Sequence, residues 1–486
     1  MPVSLRALTH SVLLRPALAA ALLLAAALPA APPADAQPRR TTPGRPAPVA
    51  RVAPVTLRSG PMNGYSLHRE VAVWAQTTGP ARVQIRYWDE TAPAARTTTP
   101  AVAATDADGF AVHIVVGDLE PGRRYAYEVL VDGRVAARPY ALRFETQALW
   151  QWRTDPPAFT FALGSCTYVN ETAYDRPGTP YGGAYRVFAP LARLQPAFML
   201  WMGDNTYFRE VDWWSERGMD HRHAHTRALA EMQPLLGSAH HYATWDDHDY
   251  GPNDADRSWV LKATALRLFK RYWANVSYGI PETDGVFGHF EWNDAAFFLL
   301  DDRYHRSPNG TPDGPDKTMF GREQIDWLVD ALTTSRAPFK FVVAGGQVLN
   351  PVAVYETMAT FPDERRRLLD EITRRRISGV VFLTGDRHLT ELQRLDRADG
   401  APPLYDFTAS SLTAGSARLA PSERDSPTRV AGTLVEGQNN FGTVTLDGPR
   451  AARVATLRTY DADGALLWEH RIAAADLAWP ASPRTP

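Results

Sequence analysis

The chain has 486 residues, of which 44% are hydrophobic and 22% are charged. Its 52 basic and 54 acidic side chains give a net charge of −2, so there is no global electrostatic attraction to nucleic acid or to an anionic membrane. The length predicts roughly two to three domains rather than one small core.

The first 36 residues have the pattern of a signal peptide. Arg6 and Arg15 supply positive charge around the start of an apolar stretch at 17–28. This stretch is shorter than the about 20 residues of a transmembrane helix, and the small residues Ala34-Asp35-Ala36 follow it as a cleavage site. We therefore expect export to the periplasm or the medium, with no stable membrane span after cleavage. A retained membrane anchor is the alternative.

Cysteine usage is unusual for an exported chain. Cys166 is the single cysteine, so no intramolecular disulfide can form. A buried thiol, an intermolecular bridge and a metal ligand are the three remaining interpretations.

Residues 37–53 are rich in Pro, Arg and Ala and predict a disordered linker. From 54 to 148 short strands follow one another, with turn signals at Pro121-Gly122 and Asp132-Gly133. The strands predicted here include Val71–Ala75, Ala81–Tyr87 and Tyr125–Val131. This pattern predicts a β-sandwich of immunoglobulin or fibronectin III type.

From 149 to 475 strands and helices alternate, and a tail at 476–486 follows. The predicted strands are Phe159–Leu163, Phe198–Met202, His241–Trp245, Ala296–Leu300, Phe339–Ala344, Val380–Thr384 and Phe441–Leu446, then a hairpin of Ala452–Tyr460 and Leu466–Arg471. The predicted helices are Tyr185–Leu194, Thr226–Leu236, Val260–Trp273, Arg322–Thr333 and Glu364–Arg374. The overall prediction is a multidomain β plus α/β chain.

Six of the predicted strands end at polar residues that suit a ligand site. These residues are Cys166, Asp204, Asp247, Asp301, Gln347 and Asp386. If the strands form one sheet, their loops share one rim, where α/β proteins bind ligands. Several carboxylates brought together there repel one another unless cations neutralise them, so the pattern predicts a metal site.

Side chains beside these strand ends add further donors. Tyr207 lies in the same turn as Asp204, and His388 lies two residues after Asp386. His221, His223 and His225 also alternate, but residues two apart do not share a helix face. We therefore expect a polar loop or a helix start there rather than a metal tract.

Four motifs resemble those of the alkaline phosphatase D (PhoD-like) family, within the metallophosphatase superfamily that includes purple acid phosphatases. The motifs are Gly164-Ser165-Cys166, Gly203-Asp204-Asn205-Thr206-Tyr207, the run from Trp245 to Asp254, and Gly385-Asp386-Arg387-His388. The resemblance covers roughly residues 55–470. It implies a metallophosphatase-type α/β sandwich of two mixed β-sheets flanked by helices, preceded by the family's N-terminal β-sandwich.

The resemblance also implies a pair of cations. An Fe(III) ion would be held by Cys166, Asp204, Tyr207 and His388, and a Ca²⁺ ion by Asp204, Asp247 and Asp386. Thiolate, phenolate and imidazole suit a transition ion, whereas carboxylates suit a hard ion; other divalent metals stay open at the second site. Further candidates for a metal or phosphate ligand are Asp246, Asn253, Gln347 and Arg387.

The activity that follows is hydrolysis of small phosphate esters, by attack of a metal-bound hydroxide on phosphorus. In this expectation His248 protonates the leaving oxygen, and Arg303, Arg306 or Arg387 binds the phosphate. Phosphomonoesters are the first substrate class and phosphodiesters the second. The alternatives are a phospholipase-like or nucleotide phosphodiesterase, and a secreted metal-binding protein without catalysis. The oligomeric state is not predicted.

Overall fold

The elements below come from a computed structural model that describes residues 53–398 and 400–480. The predicted signal peptide, and the predicted linker up to residue 52, lie outside these ranges, as does the predicted tail from residue 481. No helix within these ranges is both long enough and apolar enough to cross a bilayer. Within the described ranges, the residues from Pro54 to Pro480 belong to one compact unit.

Residues 54–149 contribute β-strands, as their alternating and apolar runs predict. These strands are β1 (Leu57–Ser66), β2 (Val71–Thr77), β3 (Ala81–Asp89), β4 (Thr97–Thr98), β5 (Val102–Ala104), β6 (Ala111–Val116), β7 (Arg124–Val131), β8 (Arg134–Val135) and β9 (Arg143–Glu145).

The remaining chain alternates strands with helices and ends in a β-hairpin. Its first half contains β10 (Phe159–Gly164), α1 (Phe188–Leu194), β11 (Phe198–Met202), α2 (Glu216–Arg227), α3 (Gln233–Leu236), β12 (His240–Thr244), α4 (Asp247–Tyr250), α5 (Lys262–Tyr272), β13 (Gly288–Trp292) and β14 (Ala295–Leu299). Its second half contains α6 (Arg322–Thr334), β15 (Phe339–Ala344), α7 (Pro362–Arg374), β16 (Val380–Thr384), β17 (Glu391–Leu395), β18 (Leu404–Thr408), β19 (Asn440–Asp447), β20 (Val454–Asp461) and β21 (Leu466–Ala473).

The described strands form three sheets. The first has the order β21-β20-β19-β10-β11-β12-β1-β2-β6, with β10, β11 and β12 parallel. The second has the order β13-β14-β15-β16-β18-β17, with its four central strands parallel. The third pairs β3 with β4, β5 and β7, and β7 with β8 and β9.

Aromatic side chains fill the space between the first two sheets. Phe161 and Phe198 of the first sheet stack with ring centroids 4.9 Å apart, and Phe297 and Phe341 of the second stack at 5.1 Å. Phe161 meets Phe297 edge to face at 5.2 Å, which joins the sheets. All four rings are fully buried, and each burial contributes about 1.5–3 kcal/mol.

Helices cover the outer faces of both sheets. Side chains of α1, α2, α3 and α5 pack on the first sheet, and side chains of α6 and α7 pack on the second. The predicted arrangement of two mixed sheets flanked by helices is therefore confirmed for this part of the chain.

The N-terminal strands are divided between two sheets: β3, β4, β5, β7, β8 and β9 form the third sheet, whereas β1, β2 and β6 belong to the first. They pack as two layers around apolar residues such as Val73, Ile85 and Val129. One of these layers continues into the first sheet, because β1 pairs in parallel with β12, with Asn63 opposite His240. A separate immunoglobulin or fibronectin III-like domain is therefore not confirmed.

Two local predictions are wrong. The helix predicted at Thr226–Leu236 is broken, since α2 ends at Arg227 and α3 begins at Gln233. The alternating histidines lie in the middle of α2 rather than in a loop or at its start. This helix buries Arg222 in an ion pair with Asp212 (2.8 Å), so its packing face is not the apolar stripe by which helices are recognised.

The six ligand-bearing strands also do not share one sheet. Three of them, β10, β11 and β12, belong to the first sheet, and β14, β15 and β16 belong to the second. Their carboxyl ends nevertheless meet, because the sheets face each other with these ends at the same edge. Ligand atoms of Cys166 and Asp204, which follow strands of the first sheet, lie within 4.8 Å of one of His388, which follows a strand of the second.

Candidate metal centre

Left-handed turns follow several strands at this edge. Cys166, Asp204, Asp386 and His388 all have positive φ, between 52° and 65°. Such backbone costs a non-glycine residue roughly 1–2 kcal/mol, so the surrounding contacts must enforce it. The four side chains belong to turns after β10, β11 and β16 and converge.

The first group of donors joins a thiol, a carboxylate and an imidazole. Ligand atoms of Cys166, Asp204 and His388 all lie within 4.8 Å of one another. The Cys166 Sγ is 3.7 Å from Oδ2 of Asp204, and the Tyr207 hydroxyl is 3.2 Å from Nε2 of His388. Four different donor types thus surround one point.

The second group shares a member with the first. Ligand atoms of Asp204, Asp247 and His248 also lie within 4.8 Å of one another. Asp386 lies beside the first group, since its backbone carbonyl oxygen is 3.7 Å from the sulfur of Cys166, but its carboxylate is in none of the ligand groups formed by the described residues. The buried Oδ2 of Asp386 and Nδ1 of His248 find no hydrogen-bond partner within the described ranges. Because these two atoms have no such partner, they are available to bind a cation.

Burial dominates the electrostatics of most groups in this centre, although His248 and Arg303 outweigh it at Asp247 and lower the pKa of that carboxylate. Burial raises the pKa of Asp204, which Asp247 and Cys166 raise further, and burial likewise raises the pKa of Asp386. Burial also raises the pKa of the Cys166 thiol and of the Tyr207 phenol. The anionic forms are therefore costly unless a cation compensates them. The donor set fits a pair of cations.

Asp246 and Arg303 lie beside this centre and pair with each other. Both are fully buried, and the guanidinium of Arg303 forms an ion pair with Asp246. Its Nη2 also donates to Glu356 (2.7 Å), which accepts from Arg306 as well (2.9 Å). Asp246 further caps the N-terminus of α4, which places Asp247 in the first turn of that helix.

Gln347 and Arg387 are committed to a buried polar network. The amide nitrogen of Gln347 donates to Glu391 and Thr408 (2.8 Å each), and its oxygen accepts from Arg387. Nη2 of Arg387 donates to Glu423 (2.8 Å). Both side chains therefore have protein partners that a metal or a phosphate would have to replace.

Asn253 is exposed and donates to the adjacent Asp254 (2.8 Å). The backbone N–H of Asp254 in turn donates to Oδ2 of Asp247 (2.7 Å). Burial and the nearby charge of Glu356 raise the pKa of Asp254 to about 6. Asn253 thus precedes the residue whose backbone contacts Asp247, and its own side chain makes no hydrogen bond to the other predicted ligands.

Sequence reasoning missed three residues of this site. Ser410 donates to the sulfur of Cys166 (3.2 Å), and Tyr181 places its hydroxyl 3.2 Å from Nδ1 of His388. Arg209 follows Tyr207 by two residues and lies against Tyr168. Proximity to Tyr207 in sequence was the available signal for Arg209, whereas Ser410 follows β18, a strand that was not predicted.

Comparison with known proteins identifies the family. A family model described as PhoD-like phosphatase matches residues 161–451, more than half of the chain. A second model, described as a domain of unknown function, matches residues 54–149. Alkaline phosphatase D of Bacillus subtilis (strain 168) is 23% identical over 357 residues, which are 63% of this chain. The match spans 58% of that relative's length, less than two thirds.

Solved structures share the fold. A structure of PhoD superposes with a TM-score of 0.67 at 18% identity, over 85% of this chain and 91% of the other. The purple acid phosphatase PPD1 from yellow lupin (Lupinus luteus) seeds superposes with a TM-score of 0.63 at 11% identity, over 88% and 77%. At these identities the structures establish the fold alone, and the family model adds membership: the chain belongs to the PhoD-like phosphatase family.

Proposed function

We propose that this protein is an exported, metal-dependent phosphoesterase that hydrolyses phosphomonoesters, with phosphodiesters as a second substrate class. The observation that carries the proposal is the shared carboxylate: Asp204 belongs to the first two of three groups of candidate ligands, the third being Asp247, Asp254 and Glu356, so one carboxylate could serve a pair of neighbouring cations. Membership of a phosphatase family supports the substrate class. The signal-peptide pattern of residues 1–36 supports export, which cell fractionation tests.

Donor chemistry suggests which cations the centre takes. Cys166, Tyr207 and His388 offer a thiolate, a phenolate and an imidazole, which suit Fe(III). Asp247 and Asp386 offer carboxylates, which suit Ca²⁺, and Asp204 would be shared by the two sites. When bound, such a pair lowers the pKa of a water molecule and neutralises phosphoryl oxygens.

His248 is proposed to assist the leaving oxygen. It lies beside Asp204 and Asp247 and keeps a buried ring nitrogen without a partner among the described residues. Burial lowers the pKa of His248, although the charge of Asp247 opposes this. The ring is therefore neutral at neutral to alkaline pH, and it would stabilise the departing alkoxide by hydrogen bonding from its N–H.

The proposal is tested by metal analysis and by turnover of two chromogenic esters. Purified protein should contain iron and calcium and should hydrolyse p-nitrophenyl phosphate. Asp204→Asn should lose both metals and roughly 10³-fold or more of the turnover, because both groups lose their shared ligand. The matched control is Asp370→Asn, an exposed carboxylate on α7 that should change neither.

The remaining outcomes discriminate between functions. A preference for bis-p-nitrophenyl phosphate would favour a phosphodiesterase over the monoesterase proposed here. Metal without turnover of either ester would indicate a binding protein without catalysis. A fully active Asp204→Asn protein would refute the shared-carboxylate site itself.

A further inference from the structure

Three of the arginines near the centre already have strong partners. Arg303 and Arg306 both donate to Glu356, and Arg303 also holds Asp246. Arg387 donates to Glu423. A guanidinium committed to a buried carboxylate must give up that partner before it can bind a phosphate, which makes these residues poor substrate ligands.

Arg209 differs from them. It lies in the loop after β11, and its side chain is only 9% exposed. Its guanidinium makes no hydrogen bond to any described residue, and its buried Nε has no partner there. The closest carboxylate is that of Glu210, 3.6 Å from Nη2 of Arg209. Glu210 is 46% exposed and already pairs with Arg176 (2.9 Å). A nearly buried cation without a hydrogen-bond acceptor is unfavourable unless a ligand supplies one.

The position of Arg209 connects it to the metal centre. Its Cζ lies 5.7 Å from the centroid of the Tyr168 ring, and Tyr168 packs against Tyr207 at 5.1 Å. The N–H of the preceding Phe208 donates to the carbonyl of His248 (3.0 Å). The charge of Arg209 also contributes, after burial and His388, to lowering the pKa of His248. The guanidinium is therefore separated from the Tyr207 phenol by the single ring of Tyr168, within reach of a phosphoryl group bound at the centre.

We infer that Arg209 binds the non-bridging oxygens of the substrate's phosphoryl group and makes the site favour phosphomonoesters over phosphodiesters. This inference rests on the proposed phosphoesterase function. A monoester carries close to two negative charges above pH 7, and a diester carries one. A guanidinium presents parallel N–H donors that match two phosphate oxygens. A monoester has three non-bridging oxygens and a diester has two, so a diester whose oxygens also face the cations leaves fewer of them for Arg209.

The test compares substitutions of Arg209 with a matched neighbour. Arg209→Met keeps a similar length and removes the charge, and Arg209→Lys keeps the charge without the paired donors. The control is Arg176→Met, because Arg176 is 73% exposed and contacts the same Glu210. Each protein is assayed for kcat/KM on p-nitrophenyl phosphate and bis-p-nitrophenyl phosphate, for binding of inorganic phosphate by calorimetry, and for metal content.

We expect Arg209→Met to lose about 10- to 100-fold in kcat/KM for the monoester and under about 5-fold for the diester, as the loss of charge-assisted hydrogen bonds to one oxygen pair predicts. Phosphate affinity should fall in parallel, Arg209→Lys should lie between, and metal content should not change. Arg176→Met should behave as the wild type.

Equal losses on both esters, an unchanged phosphate affinity, or loss of metal from Arg209→Met would each overturn the inference, because Arg209 would then have a general or structural role. If the wild type hydrolyses neither ester, the proposed function fails by itself. Phosphate binding to the metal-loaded protein still decides the role of Arg209 in that case.

Discussion

The backbone N–H of His248 donates a hydrogen bond to Oδ1 of Asp204 at 3.1 Å. The loops after β11 and β12 are thereby joined at the carboxylate that both ligand groups share. The other oxygen, Oδ2, faces the sulfur of Cys166 at 3.7 Å. Oδ2 of Asp204 therefore faces the first ligand group, and Oδ1 lies beside the second. The backbone N–H of His248, rather than its imidazole, holds the carboxylate in this orientation.

Because the backbone of His248, and not its side chain, holds Asp204, a substitution can distinguish two possible roles of the imidazole: metal ligand, or donor to the leaving oxygen. In His248→Asn the backbone bond to Asp204 is preserved, so we expect both metals to be retained. The turnover of p-nitrophenyl phosphate should fall by roughly 10²-fold or more, the usual effect of removing a general acid or a hydrogen-bond donor to the leaving group. Metal analysis alongside steady-state kinetics checks this. Loss of one metal would instead make His248 a ligand.

The lone cysteine gives a second prediction. Cys166 is fully buried, and its sulfur contacts Ser410 (3.2 Å) and Asp204. Cys166→Ser replaces a donor that ionises to a thiolate on metal binding by a hydroxyl that stays protonated and neutral, so iron content should fall by about tenfold or more while calcium is retained. Ser258→Ala, which removes an exposed hydroxyl, is the control and should keep its iron. A Cys166→Ser protein with full iron content would mean that the thiol is only a core residue.

Much of the fold could be predicted from the sequence because the central strands are short, continuous apolar runs. The bounds of β11, β15 and β16 agree with prediction to the residue, and polar residues mark where each ends. The chemistry of the site was readable for the same reason, since its donors directly follow such strands. The sequence could not assign the strands to two sheets, because each run is apolar on both faces and only tertiary packing decides which sheet it joins.

The unpredicted parts depend on partners that are distant in sequence. β18 was missed, and with it Ser410, because Leu404–Thr408 carries the buried Asp406, which accepts from Thr384 (2.6 Å). The roles of the arginines were equally unreadable. Arg303 pairs with Glu356, 53 residues away, and no local pattern indicates which arginine is left without such a partner.

The ion pairs of Arg303 predict a structural rather than a substrate-binding role. Arg303→Met leaves the buried Asp246 without its cation and leaves Glu356 paired with Arg306 alone, which should lower the free energy of unfolding by about 3–5 kcal/mol. The control is Arg367→Met, whose pair with Asp326 is largely exposed and should contribute under about 1 kcal/mol. Urea denaturation measures both. Wild-type stability with a raised KM would instead identify Arg303 as a phosphate ligand.

Acid sensitivity follows from a buried histidine outside the site. His223 stacks on Tyr272 with ring centroids 4.8 Å apart, and neither of its ring nitrogens has a hydrogen-bond partner in the described part of the chain. Burial, together with the charges of Arg227 and Arg271, lowers the pKa of His223 to about 3 from the ordinary 6.5. The folded protein therefore holds this ring neutral at pH values where the unfolded chain would protonate it.

The sign of the effect is fixed by this difference in proton uptake. Below pH 6.5 the unfolded state binds the extra proton, so the stability due to His223 is complete above that pH and declines as the pH falls toward 3. Between pH 8 and pH 5 the wild type should lose about 2 kcal/mol more than His223→Phe, in which nothing titrates and the ring stacking is kept. Urea denaturation of both proteins at the two pH values measures this difference. At pH 8 the side chains of His223 and of the substituted Phe are both neutral, so the difference in stability between the two proteins there measures packing alone. An identical pH dependence of stability in the two proteins would contradict the prediction, because His223 would then take up its proton without unfolding.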